Sequence, residues 1–109
     1  MIEAKYKRVD LELCMIGHAK YAEIGKDIVC AGASALFFAA LSELRNRGFK
    51  YLADLGDGYA YLKASPSAEE RHTCLAIFDT VVAGLENIAQ QYPDYIRLVK
   101  EDNTNGIDC

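Results

Sequence analysis

The stretch Ile28–Leu41, IVCAGASALFFAAL, is apolar or small at nearly every position, and this constrains the fold more than any other part of the chain. It lacks proline, Asp27 precedes it, and Gly48 follows the basic residues Arg45 and Arg47. Asp is a favoured N-cap because its carboxylate accepts from the first unpaired amides. Gly after a basic last turn is a C-terminal stop. The pattern predicts a helix over 28–47 buried on most of its sides. Gly32, Ala33 and Ala35 would let neighbouring backbone approach closely.

A helix of that kind needs a sheet to cover it. Ile2–Val9 alternates in part and reads as a strand, and Leu11, Leu13 and Met15 alternate with Glu12 and Cys14 as a second. The turn between them falls near Asp10; one long bent strand is the alternative. Phe49–Leu55 and Tyr59–Ala64 flank Gly56-Asp57-Gly58 and predict a hairpin. Ser67 and Glu70 have capping-box spacing. They open a helix over 66–92 whose stripe runs Leu75, Phe78, Val82, Leu85 and on to Tyr92. Pro93 stops it, and Tyr95–Lys100 returns as a strand. The expected fold is α/β of the α+β type, order ββαββαβ: a small, mostly antiparallel sheet with two helices packed on it. At 109 residues one domain is expected, over 1–100, with 101–109 as a polar tail that frays.

With 16 acidic against 12 basic side chains, net −4, the chain lacks the basic face of a general nucleic-acid binder. No unbroken run of 18 apolar residues occurs, so no membrane-spanning helix is expected. The N-terminus lacks the apolar core of a signal peptide, which points to the cytoplasm. The four cysteines, Cys14, Cys30, Cys74 and Cys109, form no C-x-x-C pair, and in a reducing compartment each is read alone.

Cys30 stands out by position. With Asp27 as N-cap it is the third residue of the helix, where unpaired amides and the positive end of the dipole favour an anion. The same amides could hold an oxyanion after thiolate attack on a carbonyl. His18, at the end of a strand, is placed to act as base. The bland readings are a core thiol, a satisfied strand-end imidazole, a simple N-cap at Asp27, and Ser34 bonding back to its own helix. Cys14, His18 and Cys30 as metal ligands would be irregularly spaced. His72 reads as solvated and Cys74 as core. Tyr51, Tyr59 and Tyr61 read as sheet packing, though they could stack on a peptide. Gly56-Asp57-Gly58 is a turn rather than a phosphate loop.

Gly17-His18-Ala19, eight residues further Asp27-Ile28-Val29-Cys30-Ala31, and then Ser34-Ala35-Leu36 together resemble the signature of the ribosomal-processing cysteine protease family, Prp. Gly84–Ala89 and Tyr92-Pro93-Asp94-Tyr95 resemble its last helix and strand, so the likeness spans about 1–100. The N-terminal turn departs from the pattern by lacking glycine. The resemblance implies a homodimeric cysteine endopeptidase that removes a short N-terminal extension from a bacterial large-subunit ribosomal protein, without metal or cofactor. His18 would be the base and Cys30 the nucleophile, with Asp27 and Ser34 in support. The segment Ala19, Lys20, Tyr21, Ala22, Glu23, Ile24, Gly25 and Lys26 would be a mobile loop over the site. Glu23, Asp54 and Asp57 are candidates to meet basic substrate residues. A phage relative acting on a capsid or scaffold protein, and a non-catalytic binding or redox-sensing protein with Cys30 buried or oxidisable, are the alternatives.

Overall fold

A computed structural model of the chain describes residues 1–23 and 25–101. Its elements are β1 (Ile2–Lys7), β2 (Glu12–Ile16), α1 (Ile28–Asn46), β3 (Tyr51–Gly56), β4 (Tyr59–Ala64), α2 (Arg71–Gln91) and β5 (Ile96–Glu101). The order ββαββαβ is the expected one. The strands form one five-stranded sheet in the order β3-β4-β2-β1-β5. Every pairing is antiparallel except β1 with β5, where Ile2 lies opposite Ile96 and Lys7 opposite Glu101.

This topology explains why both helices share a face. The connection through α1 runs from β2 to β3 and steps over β4. The connection through α2 runs from β4 to β5 and steps the opposite way, over β2 and β1. Because β2 and β4 are antiparallel, two right-handed crossovers put α1 and α2 on the same side. Alternate strand residues point there: Ile2, Ala4 and Tyr6, Leu13 and Met15, Leu62 and Ala64 join Val29, Phe37, Leu44, Phe78 and Leu85 in one buried cluster. Tyr6 stacks on Phe78 with ring centroids 6.0 Å apart. Its hydroxyl donates to Asp79 on α2, which also accepts from Arg8. Arg8 outweighs desolvation and holds the Asp79 carboxyl below its usual range.

Both ends of α1 are closed as the sequence suggests. Asp27 caps α1. At its other end the Gly48 amide donates to the Arg45 carbonyl and the Phe49 amide to that of Leu44, the paired bonds of a Schellman motif. Ser67 and Glu70 exchange hydrogen bonds of 3.0 and 3.3 Å, but this box closes a turn ahead of α2, which begins at Arg71 rather than near Pro66.

Several expectations need correction. The first two strands form the expected hairpin, so the alternative of one bent strand falls away. The turn takes in Val9, which is exposed, and puts Leu11 at φ 51° with no glycine available. Glu101 is the last residue of β5; the rest of the expected tail, 102–109 with Cys109, lies outside the described residues. α1 is not buried on most sides. Val29, Ala33, Phe37, Ala40, Leu41 and Leu44 face inward, while Ile28, Ala31, Ala35 and Phe38 are exposed. By length and composition alone α1 could cross a bilayer, contrary to the reading from unbroken apolar runs; here it is a core helix packed on α2 and the sheet. The small-residue contacts between the helices are real. A β-carbon at Gly32 would stand 3.1 Å from Ile88, and one at Gly84 only 2.8 Å from Leu36.

Candidate active site

The connection between β2 and α1 carries His18 and Cys30, and local forces shape it. Gly17 leaves the sheet at φ 102°, a left-handed conformation, and the Met1 carbonyl occupies the space a side chain would need. The Gly17 amide donates to the Gly58 carbonyl at 2.8 Å. That bond ties the end of β2 to the β3–β4 turn and sets the exit direction of His18. The imidazole lies against Gly58, where a β-carbon would come within 2.8 Å of Nε2. Nε2 is 3.4 Å from Asp57 Oδ1 in the same turn.

Cys30 is the third residue of α1 and is half-buried. Asp27 Oδ1 accepts from the Val29 and Cys30 amides, both at 3.0 Å, and Oδ2 accepts from the Tyr21 amide at 3.0 Å. Desolvation by itself would raise the Asp27 pKa. The amides of Cys30, Tyr21 and Ala22, with the Cys30 thiol, outweigh it and hold the carboxyl below its ordinary value.

Asp27 thereby takes up two amides that the sequence reading assigned to an oxyanion, because a capping carboxylate competes for the same first-turn donors. The N–H aimed at sulfur comes from the loop instead: the Ala19 amide donates to Cys30 Sγ at 3.3 Å. Ala19 is itself buried. Two residues on, the Tyr21 ring makes edge-to-face contacts with Tyr92 at 5.4 Å and Tyr95 at 5.1 Å. The described part of the expected mobile loop, 19–23 with Gly25 and Lys26, is therefore docked on its neighbours through Ala19 and Tyr21. Ile24 lies outside the described residues.

Two cavities meet at this point. One, of about 690 Å³, is lined by His18, Cys30 and Ser34 together with Lys20, Lys26, Asp27 and Asp57. The other, of about 260 Å³, shares His18, Cys30 and Ser34 and has apolar walls of Ile2, Met15, Phe38 and Leu55, with Tyr59. All four residues singled out in the sequence thus come together, Asp27 at the first cavity and the other three at both. Among the described residues the cavity walls include Asp57 but neither Glu23 nor Asp54. Tyr61 lines neither cavity, and its hydroxyl donates to Glu12 at 2.6 Å. Cys74 is core, and burial pushes its thiol pKa up. Cys14, His18 and Cys30 form no metal centre, since no group of three or more ligating side chains among the described residues could hold an ion.

Sequence reasoning missed the Ala19 amide, the Tyr21 clamp, the apolar cavity and the approach of Asp57 to His18. Only the last had a visible signal, the Gly-Asp-Gly turn. A thiol on a helix N-terminus, an imidazole on the same cavity wall and a loop amide at sulfur form a set suited to nucleophilic attack on a carbonyl.

Known proteins carry the same arrangement of elements. The structure of the Prp protease from Staphylococcus aureus with a covalently linked product peptide superposes with a TM-score of 0.82 at 27% identity, covering 93% of this chain and all of that one. The ribosomal processing cysteine protease Prp of Bacillus subtilis is 35% identical over 107 residues, spanning 90% of this chain and 96% of the relative. Its Staphylococcus aureus counterpart is 29% identical over 92 residues, with 80% and 83% covered. The profile described as cysteine protease Prp matches residues 1–97, and the chain belongs to that family of cysteine proteases.

Proposed function

We propose that this cysteine protease is a processing endopeptidase with Cys30 as nucleophile and His18 as base, and that it removes a short N-terminal extension from a bacterial large-subunit ribosomal protein. The observation that carries the reading is the placement of Cys30 Sγ at the junction of two cavities, with the Ala19 amide 3.3 Å away and His18 on the shared wall. His18 takes the thiol proton and the thiolate attacks the scissile carbonyl. The Ala19 amide, already aimed at the sulfur, serves as a donor for the oxyanion. The imidazolium then protonates the leaving amine, and water resolves the acyl-enzyme.

The apolar cavity suits an apolar or aromatic side chain of the peptide. Asp27 organises the first turn and the loop, and Ser34 supplies a hydroxyl one helical turn beyond Cys30. A homodimer belongs to the same proposal. Support comes from the exposed apolar residues Ile28 on α1 and Leu52 on the edge strand β3. Work in the cytoplasm is also proposed, in keeping with the free thiols of Cys30 and Cys74.

The test is mass spectrometry of the ribosomal precursor, with a phage capsid precursor as comparison. Wild type, Cys30→Ala and His18→Ala are incubated side by side. A single cut in the ribosomal precursor that is absent in both variants is expected. Cleavage that survives in His18→Ala would remove the base assignment, and cleavage of the capsid precursor alone would change the substrate.

A further inference from the structure

We propose that Asp57, at the tip of the β3–β4 turn, is a positioning residue for His18: it accepts the Nε2 proton and thereby presents the other ring nitrogen, Nδ1, to the Cys30 thiol. The proposal rests on the dyad reading above and adds a third member that the sequence pattern does not contain.

Three independent features build the contact. Asp57 Oδ1 stands 3.4 Å from Nε2, within ion-pair distance. Gly58, at φ 66°, presents its bare α-carbon to the ring; a β-carbon would meet Nε2 at 2.8 Å and Cδ2 at 3.2 Å. The Gly58 carbonyl accepts from the Gly17 amide at 2.8 Å, so the turn is fastened to the residue before His18. The hairpin tip is thus both a seat for the imidazole and the source of a carboxylate on its rim.

Chemistry supplies the reason for such a group. A neutral imidazole carries one proton on either nitrogen, and the hydrogen bond made by one fixes the role of the other. A carboxylate at Nε2 selects the tautomer in which Nδ1 has the lone pair that a base needs. When the thiol proton arrives on Nδ1 the ring becomes cationic, and the Asp57 charge opposes its loss to solvent. The contact is open to water, with the Asp57 side chain 99% exposed, so its effect is modest in the free enzyme. It grows when a peptide fills the cavity that Asp57 and His18 both line.

The experiment pairs kinetics with ¹⁵N NMR of the His18 ring, whose shifts report which nitrogen is protonated. The Nε2–H form should predominate in wild type, and Asp57→Ala should lower its share. On the precursor peptide kcat should fall about threefold with KM unchanged. Asp57→Glu should restore most of both signals. Gly58→Ala, which pushes the ring away while Asp57 remains, should cost kcat more than Asp57→Ala does. An unaltered tautomer population in Asp57→Ala overturns the proposal whatever the kinetics show; a rise in KM alone would make Asp57 a substrate contact and overturn it too. The NMR measurement needs no substrate, so it stands apart from any failure of the dyad reading, which His18→Ala reports separately.

Discussion

Replacing Asp27 by Ala and by Asn should separate two jobs that one carboxylate performs. Oδ1 accepts from Val29 and Cys30 and caps α1, whereas Oδ2 accepts from Tyr21 and holds the loop. Ala removes both. Loss of an N-cap costs about 1–1.5 kcal/mol, and the half-exposed loop bond adds about 0.5 kcal/mol. For a domain of this size the sum of about 2 kcal/mol lowers the melting temperature by roughly 10 °C. Asn is as good a cap as Asp and keeps an oxygen for the helix amides. Its second atom is then an NH₂ group, which faces the Tyr21 amide donor to donor. Asp27→Asn should therefore lose only about 2–3 °C while hydrogen exchange at residues 19–23 accelerates as in Asp27→Ala. The acid limb gives a second check. The folded-state pKa of Asp27 is depressed, so the stabilisation is complete above the unfolded value of about 3.9 and is lost as pH falls through the folded value. The advantage of wild type over Asp27→Asn should be constant from about pH 5 upward and disappear in stronger acid. Thermal melts with exchange mass spectrometry decide the matter. An Asn variant that melts as low as the Ala variant, or that leaves loop exchange at the wild-type rate, would refute the division of labour.

Tyr21→Ala should cost about 1–2 kcal/mol from two lost edge-to-face contacts and raise KM for the precursor, with Tyr21→Phe close to wild type in a steady-state assay. Gly84→Ala should destabilise by about 1–3 kcal/mol in urea melts, because the new methyl group would stand 2.8 Å from Leu36 in a close helix crossing. Phe38→Asp and Leu55→Asp, on the apolar cavity wall, should each reduce kcat/KM at least tenfold, while folding, followed by circular dichroism, holds. Iodoacetamide should label Cys30 well before Cys74, which is fully buried with a raised pKa; peptide mapping of the labelled sites reads the order.

The signals that were legible are the ones written in adjacent residues. Asp27, Gly48, the Ser67–Glu70 pair and the Gly56-Asp57-Gly58 turn each act through bonds to backbone a few positions away, so their spacing is enough. The order of elements followed from them. The parallel pairing of β5 with β1 did not, since Ile96 and Leu98 show an alternation that fits any neighbouring strand. The helix expected over 28–47 reads as buried on most of its sides, and is not, because composition cannot tell an inward Phe37 from an outward Phe38. Within the site, Cys30 and His18 were conspicuous by residue type and placement. The Ala19 amide was invisible because every residue but proline carries that group, and Asp57 meets His18 only through a turn fixed by distant strand pairing.

The two residues proposed for the dyad lie twelve positions apart in the chain, on either side of a single connection, whereas the sheet that supports them is assembled from pairings between its first and last strands. The two proposed groups therefore belong to one contiguous insert that runs from the end of β2 into the first turn of α1. New termini opened at the Arg8–Leu11 turn or at Ser65–Ser67 would leave that insert whole, while a break anywhere from Gly17 to Asp27 would divide it. Rewriting Lys20, Ala22, Gly25 or Lys26 alters the wall of the larger of the two cavities without touching a strand register. Selection, natural or in the laboratory, can thus reshape one side of the site within one short stretch of gene, while Ser34, Phe38, Leu55 and Asp57, which line the cavities from other elements, stay under the demands of the reaction.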